Sequence, residues 1–343
     1  MKNTSKMLFM TVLVTGTLMA VTANSWLSVW MGLEINLMAF IPLMNDISNL
    51  KSSEASLKYF LAQALASSTL LFAVIMMLMN SNFMFQINLE SNNLSEMIIL
   101  SSLLMKSGTA PFHLWFTEVI EGLSWNNALI LMTWQKLAPL MLISYITMSQ
   151  FIIIIILITS ITGALGGLNM TSLRKLMAFS SINHLGWMLA AMHLKNNIWL
   201  IYFLFYVLLS AIIVMMFNMF KIFHFNQMFS LSLPSNYFKM SMLINLLSLG
   251  GLPPFLGFIP KWIVIQALSN NNQMTLAMLL IMATLITLFF YLRLCFSATM
   301  INYYETNWMP PIKLNNLNYM TMNFLSVIST FGLILMPMMY LML

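Results

Sequence analysis

Apolar residues run along this chain in blocks of about twenty, separated by short polar joints rich in Asn, Ser and Lys. A helix rises about 1.5 Å per residue, so each block is long enough to cross roughly 30 Å of hydrocarbon. About eleven such runs are predicted as helices. They cover 7–23, 25–45, 56–80, 95–122, 126–148, 151–168, 173–193, 197–220, 240–270, 274–299 and 320–342. The pattern predicts an all-α integral membrane protein, one membrane domain over 1–343 with no soluble domain.

Composition changes this picture only by sharpening it. Of 343 residues 60% are hydrophobic and 6% charged, whereas soluble domains carry about a quarter charged residues. Met, at 37 residues, mixes freely with Leu, Ile and Phe, as lipid contact permits; a genetic code that reads an extra codon as Met would do the same. The single cysteine, Cys295, falls inside a predicted helix, leaves no disulfide framework and reads as a packing residue. Lys2 and Lys6, an apolar run and then Val21-Thr22-Ala23 have the outline of a cleavable leader. The later runs would insert without one, so the first is read as a span.

The net charge of +6 is spread singly and forms no basic patch, which argues against a nucleic-acid partner. Its distribution bears on topology. With eleven crossings, Lys2, Lys6, Lys51, Lys58, Arg174, Lys175, Lys221, Lys239, Arg293 and Lys313 fall on the side of the N-terminus, and Lys195 alone falls opposite. This is the positive-inside bias, and it places the N-terminus in the internal compartment.

Three basic residues remain, Lys106, Lys136 and Lys261, each inside a predicted span. Counted from the nearest polar joint, all three, together with Glu34, lie roughly 14–16 Å deep, near mid-bilayer. Each such charge costs about 2.5–3.5 kcal/mol to insert, a large outlay for structure alone. The bland alternatives are interhelical glue and snorkelling of the Lys stems. Amines suit proton handling because desolvation favours their neutral form and a nearby carboxylate their charged form. A carboxylate about 4 Å away is worth about 4 kcal/mol at an effective dielectric near 20, so a Glu34–Lys106 contact, made and broken, would load and unload one proton.

Two spans carry backbone breakers at the same depth. The fourth reads Lys106-Ser107-Gly108-Thr109-Ala110-Pro111-Phe112-His113, and the ninth reads Gly250-Gly251-Leu252-Pro253-Pro254-Phe255 and then Pro260-Lys261-Trp262. Proline removes a backbone donor and clashes with the preceding turn, so both helices are expected to break there. Gly-x-x-Pro-Phe recurs at Gly108 and Gly251, five spans apart, each time with a Lys close by. An odd-numbered unit repeated in tandem enters the membrane from opposite sides, giving an inverted repeat with broken helices at the midplane. The expected division is 1–150 and 151–300 for two five-helix repeats, with a terminal helix and loop over 301–343.

These residues carry a resemblance. Trp30-Met31-Gly32-Leu33-Glu34-Ile35-Asn36, Glu54-Ala55-Ser56-Leu57-Lys58-Tyr59-Phe60, the stretch from Lys106 to His113, Ser180-Ser181-Ile182-Asn183-His184-Leu185-Gly186-Trp187, and Gly250 through Trp262 resemble the antiporter-like subunits of respiratory complex I. That enzyme is the proton-pumping NADH:ubiquinone oxidoreductase, and the same stretches are also similar to multisubunit cation/proton antiporter chains. The resemblance implies two inverted five-helix repeats plus a terminal helix, in the shortened animal form, in the mitochondrial inner membrane with the N-terminus in the matrix. It implies that Glu34 and Lys106 are the family's ion pair, Lys136 its central lysine and Lys261 the lysine at the outlet end of the path. It implies no cofactor on this chain, with NADH, FMN, iron-sulfur clusters and ubiquinone handled by other subunits. Consistently, the sequence offers no Gly-rich nucleotide loop and no clustered Cys ligands. The implied partners are other membrane-arm and accessory subunits and phospholipids.

Several further residues are weighed against simpler roles. An imidazole ordinarily titrates near neutral pH, which suits His184 to a relay between lysines; a neutral His bonded to a neighbouring helix is the alternative. His113 follows the first break and either joins the same hydrated region or caps freed carbonyls. Glu118 and Glu121 read as solvated ends of the broken helix, with a proton-access role as the alternative, while Lys58 reads as snorkelling and His193 and His224 as interfacial. Two other functions compete with proton pumping in complex I. A cation/proton antiporter would need a carboxylate site able to strip a metal ion of water, and a membrane scaffold would leave pumping unchanged when its lysines are neutralised.

Overall fold

The computed structural model describes residues 3–46, 49–80, 93–146, 149–194, 197–229, 236–300 and 316–332. The described chain is helical throughout, with one isolated bridge, Ser172 to His224. The helices are α1 (Asn3–Val21), α2 (Trp26–Met44), α3 (Leu50–Asn80), α4 (Asn93–Ser107), α5 (Leu114–Gly122), α6 (Trp125–Met132), α7 (Trp134–Ile143), α8 (Ser149–Gly166), α9 (Leu173–His193), α10 (Ile198–Phe220), α11 (Phe225–Phe229), α12 (Asn236–Gly250), α13 (Phe258–Asn270), α14 (Met274–Met300) and α15 (Asn316–Phe331). Lys2, Lys195, Lys313 and the end of the last predicted span lie outside the described residues, as does the side chain of Lys239.

Burial departs from a soluble protein's at the surface and at a few interior positions. Large apolar side chains such as Met7, Leu61, Leu204 and Met278 face outward, while Lys106, Lys136, Lys261 and His184 are buried. Five uninterrupted segments, Thr4–Val21, Trp26–Met44, Leu50–Met79, Ile198–Phe220 and Met274–Ser297, are long and apolar enough to cross a bilayer. Their hydroxyls are satisfied locally. Thr17 donates to Val14 O, Ser67 to Ala64 O and Thr287 to Thr284 O, since hydrocarbon offers no water to do it.

The runs expected to break do so, at a positive-φ glycine in each case. Gly108 has φ +75° and Gly251 φ +83°, a region open to glycine because it has no Cβ. A third break separates α6 from α7 at Thr133, within a run that the sequence predicts as continuous. Pro139 has no N–H for the Gln135 carbonyl, and the Thr133 hydroxyl bonds back to Leu129 O at 2.7 Å, which bends helices. Short α11 is a second element not predicted; its loop is tied to the start of α9, with Leu173 N donating to Phe223 O and Phe225 N to Thr171 O.

Two compact units divide the chain, Met1–Ile155 and Ile156–Leu343. In the first, α1 and α2 cross at small residues: a Cβ on Gly32 would stand 2.7 Å from Ala20 N, and one on Gly16 2.9 Å from Asn36 N. Backbones therefore touch, as small residues allow in membranes. Around this pair α3 packs on α2, α4 and α5, and α7 packs on α1 and α4. In the second unit α9, buried on all sides, packs against α10, α13 and α14, while α15 packs on α10 and α12.

Candidate functional site

The first unit holds a polar pocket built by its two broken runs. α4 ends at Gly108, and the carbonyls freed there are taken by other groups. Leu104 O accepts from the Thr109 amide at 3.1 Å and hydroxyl at 3.0 Å, Met105 O from Trp115 Nε1 at 3.1 Å, and Lys106 O from Gln63 Nε2 at 3.2 Å. With the helix end capped in this way, the buried Lys106 side chain is left to line a small cavity.

Lys136 lines the same cavity. It is the third residue of α7, 1% exposed, with its Nζ 4.7 Å from the centre of the Phe116 ring, a cation–π distance. Phe116 touches the other break as well, lying 3.0 Å from where a Gly108 Cβ would stand. Asn36, Tyr59, Gln63 and Gln135 supply further polar wall. Lys106 sits at the carbonyl end of one half-helix and Lys136 at the amide end of another, so helix-end partial charges act oppositely on the two amines.

Glu34 is half-buried and lies at the edge of this arrangement. Leu33, Asn36 and Leu37, at i, i+3 and i+4 spacing, face the cavity, which turns the intervening Glu34 aside. Its charge acts on both Lys106 and Tyr59. The direct ion pair that the resemblance implies is not formed: Glu34 and Lys106 interact through space rather than in contact.

The second unit presents a different solution around its own break. Lys261 Nζ donates to Gly250 O at 2.7 Å, so this lysine caps the end of α12 itself, folded so tightly over Gly251 that a Cβ there would stand 2.9 Å from Nζ. Asn245 and the break loop are tied to α15: the Ser329 hydroxyl donates to Asn245 Oδ1, and Leu256 N donates to Ser329 O at 3.2 Å. On α9, His184 Nδ1 and the Tyr202 hydroxyl are 2.8 Å apart. The Tyr206 ring lies 5.2 Å from the His184 ring, with its hydroxyl on Ser181. Tyr291 approaches Ser180.

The remaining candidates are placed as follows. His113 precedes α5 without capping it by its side chain; the carbonyls of the break are taken by Thr109, Trp115 and Gln63 as above. Glu118 pairs with Lys58 at 2.5 Å, both about half exposed, so Lys58 is an ion-pair partner as well as a surface lysine. Arg293 donates to Leu168 O at 2.6 Å and Arg174 lies 4.8 Å from the centre of the Phe223 ring, which gathers these two basic residues at the α8–α9 joint. Cys295 is buried, with its thiol 3.6 Å from Leu243 O.

Phe116, Gln63, Asn36, Gln135 and the four tyrosines Tyr59, Tyr202, Tyr206 and Tyr291 are given no role by the sequence reading. For Gln63, Asn36 and Gln135 a signal existed: amides within apolar runs, two of them beside Glu34 and Lys136.

Comparison with known proteins bears on this arrangement. Residues 23–287 match the family described as "NADH:quinone oxidoreductase/Mrp antiporter, TM", and 288–340 match "NADH dehydrogenase subunit 2 C-terminus". The NADH-ubiquinone oxidoreductase chain 2 of Anopheles gambiae is 56% identical over 342 residues, covering 99% of both chains. That of Locusta migratoria is 45% identical, covering 97% of this chain and 96% of the relative. In fold, a chain of respiratory complex I from Thermus thermophilus superposes with a TM-score of 0.83 at 20% identity, covering 97% of this chain and 78% of the other. A chain of the Mrp complex from Dietzia sp. DQ12-45-1b gives 0.74 at 18% identity, covering 84% and 59%. Matched along nearly its whole length, the chain belongs to the NADH:quinone oxidoreductase/Mrp antiporter family of membrane subunits, in the NADH-ubiquinone oxidoreductase chain 2 branch.

Proposed function

We propose that this chain moves protons through the membrane arm of complex I by alternate protonation of buried lysines, with no redox chemistry of its own. Membership of complex I follows from the family, and proton pumping follows from that membership. Assignment to Lys106, Lys136 and Lys261 is supported by one observation above the others: two lysine side chains from separate broken helices open into a single polar cavity. The cavity has room for about one water, and its polar walls supply the partners a buried water needs. A proton leaving the Lys106 ammonium through such water leaves a neutral amine there and makes Lys136 cationic, so charge is conserved across the step. Glu34, whose charge acts on Lys106, biases that step. In the second half, Lys261 releases its proton when its bond to Gly250 O opens, with His184, set by Tyr202, as a relay and His113 reaching the hydrated side of the first break.

The same reading assigns eleven spans in two inverted five-helix repeats, 1–150 and 151–300, and a terminal segment over 301–343. Supporting it are the matched breaks at Gly108 and Gly251, each beginning with a positive-φ glycine. It sets the chain in the mitochondrial inner membrane with its N-terminus in the matrix, among other complex I subunits and phospholipid, with NADH, FMN, iron-sulfur clusters and ubiquinone held elsewhere.

Lys136→Ala tests the assignment. In sealed vesicles carrying the assembled complex, proton uptake per NADH oxidised falls while the complex still assembles. Unchanged uptake with normal assembly makes the chain a scaffold.

A further inference from the structure

One pair in the wall of the lysine cavity takes no part in the steps above. Asn36 Nδ2 donates to Gln135 Oε1 and Gln135 Nε2 donates back to Asn36 Oδ1, both at 3.0 Å. Such a reciprocal bond fixes two side chains against each other in distance and in rotation.

Each half of the pair is set by its helix. On α2, Asn36 is 3% exposed, and α1 presses on its backbone, with a Gly16 Cβ only 2.9 Å from Asn36 N. Asn36 is therefore a fixed post. On α7, Gln135 directly precedes Lys136 and follows the break at Thr133. Its own carbonyl receives no N–H from Pro139. The first turn of α7, which carries Lys136, thus lacks one backbone bond while keeping that from Lys136 N to Thr133 O at 3.2 Å, and the side-chain pair adds a tie from this turn to α2.

We infer that the Asn36–Gln135 amide pair is the positioning device for Lys136: it holds the first turn of α7 against α2, keeping the amine over Phe116 in the cavity that Lys106 shares. Amide groups do not exchange protons in the range where amines and carboxylates do, so the pair places the carrier without carrying. Shape explains the choice, because two amides interlock at two separate atoms, whereas a carboxylate only accepts and a hydroxyl must donate and accept at a single atom. The inference rests on the reading that Lys136 carries protons.

The test uses complexes assembled with Asn36→Leu, with Gln135→Leu, and with the exchange Asn36→Gln plus Gln135→Asn, which keeps the combined side-chain length and both bonds. Proton uptake per NADH oxidised in sealed vesicles, and its pH profile, are read beside Lys136→Ala. Each leucine variant loses at least half of what Lys136→Ala loses and displaces the pH profile, and the exchange recovers most of the loss. Single variants that pump normally, or an exchange no better than the singles, overturn the inference. If the leucine variants do not assemble, Asn36→Ala and Gln135→Ala answer the same question by the same criteria. Should Lys136→Ala itself pump normally, the underlying assignment fails rather than the positioning role.

Discussion

A lysine amine inside hydrocarbon takes its character from the few groups around it, and the three buried lysines are surrounded differently. Lys106 opens into the cavity because Thr109, Trp115 and Gln63 have taken the carbonyls beside it. Lys136 rests over Phe116, and Lys261 is itself the cap of a helix end. The glycine under Lys261 is held in place twice over. Gly251→Ala puts a Cβ at a φ of +83° and 2.9 Å from Lys261 Cδ and Nζ, and strain of that kind costs about 1–3 kcal/mol. Thermal unfolding of the detergent-solubilised complex should therefore begin at lower temperature with Gly251→Ala. A melting curve matching the unmodified complex contradicts both the positive φ of Gly251 and the Lys261 contact above it.

At the scale of elements, α15 joins the second unit by gripping both sides of a break, Asn245 in α12 and Leu256 in the loop after Gly251. A Cβ on Gly332 would stand 2.2 Å from the Leu256 side chain, so this end of α15 also fits closely. Ser329→Ala removes a buried hydrogen bond worth about 1 kcal/mol and loosens that grip. Amide exchange in a peptide spanning 251–257 should speed up with Ser329→Ala; exchange at the unmodified rate leaves α15 without a part in holding the break. Sequence made the breaks at Gly108 and Gly251 legible because glycine and proline act on their own turn. It hid the break at Thr133, since Pro139 stands six residues on and its effect depends on what Thr133 bonds. It hid the Asn36–Gln135 lock for a different reason: the partners are 99 residues apart, and only packing of α1, α2 and α7 brings them together. It also implied a Glu34–Lys106 contact that helix phase does not deliver, because the cavity face of α2 is built on Leu33, Asn36 and Leu37.

For the whole molecule, length and hydropathy carried most of the reading, since a bilayer admits few alternatives to helices whose backbone bonds are internal. Depth along each helix predicts one level for Lys106 and Lys136, and the cavity that the two share is what packing adds. Charge bias supports the proposed topology: Lys6, Lys51 and Lys221 fall at helix ends, on the side that this proposal gives to the N-terminus. Protease added to mitoplasts should leave an N-terminal tag intact, and protease added to inverted inner-membrane vesicles should remove it. The opposite result reverses the topology.

The central claim is that buried lysines act by giving up and regaining protons, and not merely by being charged. Lys136→Arg separates the two, because a guanidinium keeps the charge but does not deprotonate in a protein. Proton uptake per NADH oxidised by the assembled Lys136→Arg complex is the most direct measurement. The account predicts a fall as large as that of Lys136→Ala; uptake equal to the unmodified complex would contradict it.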